Sequence, residues 1–108
     1  MSYHDIRTSL RPGGFFVANL WHLTRISYAL GRSGELRHPT IPLTIASIAE
    51  RVASRWEGQV IDNDYAQRVE DEILPKLQAL VELADAEDRA VVEAAVNDAL
   101  MAASVALS

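Results

Sequence analysis

Phe15-Phe16-Val17-Ala18-Asn19-Leu20-Trp21-His22-Leu23-Thr24-Arg25-Ile26-Ser27-Tyr28-Ala29-Leu30 is the stretch on which the fold turns. At 100° per residue its large apolar side chains, from Phe15 to Leu30, cover most of the circumference of a helix. Only Ala18, His22, Arg25 and Ala29 form a stripe free of them. A helix that is apolar nearly all round is a buried one. The spacing predicts a helix over 14–30, with Gly31 as its stop. Either other helices wrap it or a second protein chain covers part of it. With Asn19, His22 and Arg25 inside a run of only sixteen residues, it is too short and too polar to span a bilayer.

Working outward, three more helices follow from the same period. Over 44–57, Ile45, Ile48, Ala49, Val52 and Trp56 share one face, while Ser47, Glu50, Arg51, Ser54 and Arg55 share the other. This reads as an amphipathic helix on the outside of a core, with Thr44 as cap and Gly58 as stop. Over 62–84, the line Tyr65, Val69, Ile73, Leu77, Leu80, Ala84 stays in phase across Pro75. One helix kinked at Pro75 is predicted there, capped by Asp62 or Asn63. Over 86–106, Val92, Ala95, Val96, Ala99, Ala103 and Ala106 make a line of small side chains behind a cap at Asp85. Residues 1–13 read as a polar arm, Pro12-Gly13-Gly14 as a flexible hinge, and 31–43 as a connection kept out of helix by Pro39 and Pro42. The expectation is a single all-α domain over 1–108: four helices, the first mostly buried and the third kinked at proline.

Charge is divided unevenly along the chain. Residues 1–61 carry seven Arg against four acids, +3, and residues 62–108 carry eleven acids against Arg68, Lys76 and Arg89, −8. Such asymmetry bears on partners and association rather than on chemistry. The absence of cysteine excludes disulfides, thiolate metal sites and a cysteine nucleophile. With a polar start unlike a signal peptide, it points to a reducing, cytoplasmic setting. Nine Arg against one Lys suggests a GC-rich bacterial or bacteriophage source.

Catalytic constellations do not emerge. His4, His22 and His38 make no metal-binding spacing. Asp62-Asn63-Asp64 opens like a calcium loop, but the sixth position is Gln67 and the twelfth Ile73, where Gly and Glu are required. No glycine-rich phosphate loop and no nucleophile–base pairing is present. No cofactor and no metal is expected. The reading is therefore a non-enzymatic helical interaction module, a regulator, adaptor or assembly subunit that self-associates or docks on a protein. Its apolar interface is expected at Phe16, Leu20, Trp21, Leu23, Tyr28 and Trp56. Its charged partner contacts are expected at Arg51, Arg55, Glu70, Asp71 and Glu72.

Two alternatives stand beside it. Ile48-Ala49-Glu50-Arg51-Val52-Ala53 has the look of the first helix of a helix-turn-helix, and the arginines of 44–57 and of the 31–43 loop could meet DNA phosphates. The helix that would read the bases, however, begins with two aspartates and carries Glu70-Asp71-Glu72. Alternatively, Phe15, Phe16, Trp21, Tyr28 and Trp56 could line a pocket for an apolar ligand, with His22 as a polar contact.

Overall fold

The side chains of Ile41, Ile45, Ile48, Ala49, Val52 and Trp56 recur every three or four residues, and Ala46 and Ala53 fill the gaps between them. The result is a helix with a wide apolar face, and in the computed structural model it lies at the centre of the molecule. The structure describes residues 2–108 and contains, among them, five helices and no strand: α1 (Tyr3–Ser9), α2 (Val17–Gly31), α3 (Thr40–Trp56), α4 (Asn63–Glu82) and α5 (Arg89–Ala106). α2 and α3 form one antiparallel hairpin and α4 and α5 another. α3 joins the two, packing along α2 and also against α4 and α5. α1 closes the side between α2 and α4.

The expectation that α3 lies on the outside is therefore corrected: ten of its seventeen residues are buried. α2 buries Leu20, Leu23, Thr24, Ser27 and Leu30, and its Ala18, His22 and Arg25 face water. The two helices come closest where they meet the connecting loop. A Cβ on Gly31 would lie 2.5 Å from Leu43 Cδ2, so glycine is used there for close approach; Gly31 is the last residue of α2 and not a left-handed stop after it.

Helix boundaries differ from the sequence reading for physical reasons. The arm at 1–13 contains α1, because Tyr3, Ile6 and Leu10 lie at i, i+3 and i+7; Ile6 is fully buried and Leu10 nearly so. α3 starts at Thr40 rather than Thr44. Pro39 is its cap residue and Pro42 lies in the first turn, where backbone N–H groups have no intrahelical acceptor and a proline is tolerated. α4 runs through Pro75 as one helix, capped by Asp62, which accepts from Tyr65 N at 3.1 Å. α5 begins three residues later than the reading placed it. Its cap is Asp88, accepting from Ala90 N at 2.9 Å, not Asp85. Asp85 and Ala86 instead receive the 32–39 loop: Arg37 donates to the Asp85 carbonyl at 3.3 Å and His38 Nε2 to the Ala86 carbonyl at 2.6 Å.

Pro12-Gly13-Gly14, read as a hinge, is a fixed turn. Gly13 has φ +81°, a region where a Cβ is strained. Gly14 is hemmed in: a Cβ there would lie 2.9 Å from the carbonyl oxygens of both Ser9 and Arg11. Asn19 Nδ2 donates to Ser9 O and Gly14 O at 3.1 and 2.8 Å. From α4, Glu70 reaches across to accept from Gly13 N and Phe15 N at 3.1 and 3.2 Å. The turn thus spends Gly14 to Phe16, and α2 starts at Val17.

Candidate functional site

α5 carries two apolar stripes, and only one of them is used inside the chain. The inner stripe packs Val92, Ala99 and Ala103 into the core, with Ala95, Val96 and Ala106 half-buried beside them. The outer stripe is Val91, Ala94, Asp98, Met101 and Val105, spaced three, four, three and four residues apart. That is the spacing of a helix seam that meets another helix, and it runs about 21 Å along the axis. Val91 is 46% exposed, Met101 68% and Val105 69%. Isolated apolar residues on a surface are ordinary; here Val91 and Ala94 on one side of Asp98 and Met101 and Val105 on the other lie exposed along one face of one helix.

Beside this stripe runs a shallow groove between α4 and α5, lined by Glu72, Lys76, Asp98, Met101, Ala102 and Val105. Lys76 is the only lysine of the chain. The two ion pairs among the described residues are Arg7–Glu82 and Arg89–Glu93, so Lys76 and Asp98 are both without one. The groove therefore offers apolar contact from Met101, Ala102 and Val105, with one positive charge, Lys76, and two negative ones, Glu72 and Asp98. Its lining includes no Ser, Thr, His or Tyr, and among the described residues no group of three or more His, Asp or Glu gathers to hold a metal ion.

The residues singled out from sequence fall in several places. Leu20, Leu23 and Trp56 are inside the core, at most 3% exposed, and are not surface contacts. They pack against the chain itself, because α3 and α1 cover α2 from two sides. Trp56 meets Tyr65 edge-on, with ring centroids 6.4 Å apart. Trp21 and Tyr28 are half-buried, Tyr28 beneath the Arg32 guanidinium at 4.9 Å, and Phe16 is half-exposed at the start of α2. The aromatic residues proposed as a ligand pocket are thus distributed between core and surface.

Glu70 is not on a charged surface either. It is buried, and its carboxylate accepts from the backbone of the Pro12-Gly13-Gly14 turn and from Gln67 Nε2 at 3.2 Å. Asp71 is exposed and accepts from Gln67 at 2.8 Å. Glu72 is exposed on the α4–α5 groove. Arg51 and Arg55 are exposed toward the C-terminal end of α3, where Arg55 donates to the Leu107 carbonyl. Arg32 and Arg37 lie in the loop at the opposite end of that helix, about 20 Å away along its axis. The arginines are therefore not gathered into one phosphate-binding strip.

The outer stripe of α5 was missed in the sequence because the inner line of small residues accounts for the helix by itself. The signal was present: the larger apolar residues of α5 that the inner line leaves out are Val91, Leu100, Met101 and Val105, and three of these four fall on the outer stripe. No helix among the described residues is long and apolar enough to cross a membrane. No family model matches the chain, and neither a curated protein nor a solved structure matches it.

Proposed function

We propose that this chain is a non-enzymatic helical interaction module that associates with a second copy of itself through the outer face of α5 and the adjoining α4–α5 groove. The observation that carries this reading is the stripe Val91, Ala94, Met101 and Val105, which lies in water although its spacing is that of a packed seam. Burying this stripe removes apolar surface from water, the main favourable term in association. A second copy is favoured as occupant because the surface can meet itself: it is apolar along the stripe, and the groove beside it carries Lys76 together with the carboxylates of Glu72 and Asp98, so each copy offers the other both signs of charge. Closed two-fold pairs, in which one patch meets the same patch, are the commonest oligomers of soluble proteins.

The test is mass as a function of concentration, by sedimentation equilibrium from low micromolar to near-millimolar chain. The parent is expected to approach twice 11.9 kDa. Met101→Asp places a charge in the apolar seam and is expected to weaken association at least about tenfold, with its helical circular dichroism unchanged. A parent that stays monomeric over the whole range refutes the reading. So does a Met101→Asp chain that associates like the parent.

A further inference from the structure

We propose that Met101 is a redox modification site, at which hydrogen peroxide converts the thioether of the free chain to a sulfoxide and so switches self-association off. This inference rests on the reading above, and names what regulates that surface.

Few side chains here can respond to a mild oxidant. The chain has no cysteine, and its only methionine besides Met101 is Met1. Of the two indoles, Trp56 is inside the core and Trp21 is half-buried. Met101 is 68% exposed in the single chain, beside the open groove between α4 and α5. It is therefore the thioether that the described residues present to water, and it stands on the outer stripe between Asp98 and Val105. Oxidation follows exposure. The sulfur lone pair attacks one oxygen of the peroxide; the O–O bond breaks as the S–O bond forms. Sulfur gives up two electrons, and the second oxygen leaves as hydroxide, which takes the remaining proton and becomes water. A flexible apolar side chain is thereby exchanged for a polar one. On the free chain the sulfoxide oxygen stays hydrated. In the pair it has to shed that water inside an apolar seam, which opposes association. A closed two-fold pair brings one Met101 from each copy, so oxidation of both acts twice. Pairing in turn covers the sulfur, so the dilute chain is the form that oxidises and the paired chain is protected. A thiol-dependent methionine sulfoxide reductase restores the thioether.

The experiment treats the full chain with excess hydrogen peroxide, with free methionine in the same solution as reference, and follows Met101 sulfoxide by peptide mapping. At a concentration that pairs about nine-tenths of the chains, Met101 is expected to oxidise about tenfold more slowly than in dilute solution, by mass action. The oxidised chain, freed of peroxide, is expected to associate at least about tenfold more weakly in sedimentation equilibrium, with unchanged helical circular dichroism, and to recover after reductase treatment. Met101→Leu keeps the apolar volume, so it should pair within about threefold of the parent and stay there after peroxide. If the parent pairs and Met101→Asp disrupts it, yet Met101 oxidises equally fast when paired or its sulfoxide pairs as tightly as the thioether, the inference fails and the self-association reading stands. If peroxide weakens Met101→Leu as much as the parent, the responding group is another one and the inference fails as well. A parent that is monomeric at every concentration refutes the self-association reading, and this inference with it.

Discussion

Truncation of Glu70 to alanine should be the most damaging change to a charged side chain in this protein. The carboxylate is 5% exposed and ties α4 to the turn between α1 and α2. It accepts from Gly13 N at 3.1 and 3.2 Å, from Phe15 N at 3.2 Å and from Gln67 Nε2 at 3.2 Å. Removing it leaves two backbone donors without their acceptor in a partly buried turn. A hydrogen bond to a charged group contributes about 1.5–3 kcal/mol, and the orphaned donors add their own desolvation cost. With Gln67 free to turn to water, Glu70→Ala should cost about 3–4 kcal/mol. For a chain of this length that lowers the melting temperature by roughly 12–20 °C, at about 4–5 °C per kcal/mol. Glu70→Gln keeps one acceptor oxygen but turns an NH2 group toward a backbone donor, and should fall between alanine and the parent. Glu72→Ala, two residues on and exposed, should change stability by no more than about 0.5 kcal/mol. Urea unfolding followed by circular dichroism gives the free energies. Amide hydrogen exchange at Gly13 and Phe15 localises the loss, since those two amides should exchange faster in Glu70→Ala under native conditions. A Glu70→Ala chain as stable as Glu72→Ala would refute the reasoning, and would mean that Gly14 and Asn19 hold the turn without help from α4.

Two further outcomes follow from the same corner of the molecule. Gly14→Ala should cost about 3 kcal/mol, because the new methyl meets two backbone carbonyls that cannot move without undoing the turn. Gly13→Ala, strained in φ but with open space around it, should cost about 1 kcal/mol. Urea midpoints in the reverse order would disprove the steric account. At Tyr3, burial pushes the phenol up to about 12, Asp85 reinforces the shift, and Arg7 opposes it. Unfolded tyrosine titrates near 10, so above that pH the unfolded chain gives up the proton first. The phenol's contribution is complete below about pH 10 and is lost as pH rises toward about 12. The residue is only half-buried, so the loss should be about 1 kcal/mol after allowance for solvent. The Tyr3 hydroxyl is also buried without a hydrogen-bond partner. Tyr3→Phe should therefore be close to neutral near pH 7 and should remove that alkaline loss; an unchanged alkaline slope in urea titrations would contradict this.

Helical class and most of the core were legible in the chain because both follow from local periodicity. Ile45, Ile48, Val52, Val69, Ile73, Leu77 and Leu80 repeat at three and four residues, and no strand alternation competes with them. Asp62 was readable as a cap because capping is decided within one turn of backbone. α1 was harder to see, since a seven-residue helix has little propensity of its own and exists here because Ile6 and Leu10 have a core to enter. Pro42 was misread because a proline that ends a helix in its interior is harmless in its first turn, and where the first turn falls is decided by packing.

What the sequence by itself determined is four of the five helices and the buried line of α3, α4 and α5, because hydrophobic period and capping act over a few residues. Only the tertiary structure decided which helix lies at the centre, where Glu70 points, and which apolar stripe is left over. Glu70 reads as one of three consecutive acids on a wet face until the chain brings Gly13 and Phe15, more than fifty residues away, to within reach of its carboxylate. The outer stripe of α5 is indistinguishable from core until every other helix has been placed and none covers it. Both outcomes depend on contacts between residues far apart in sequence, and a helix's own periodicity does not specify its neighbour.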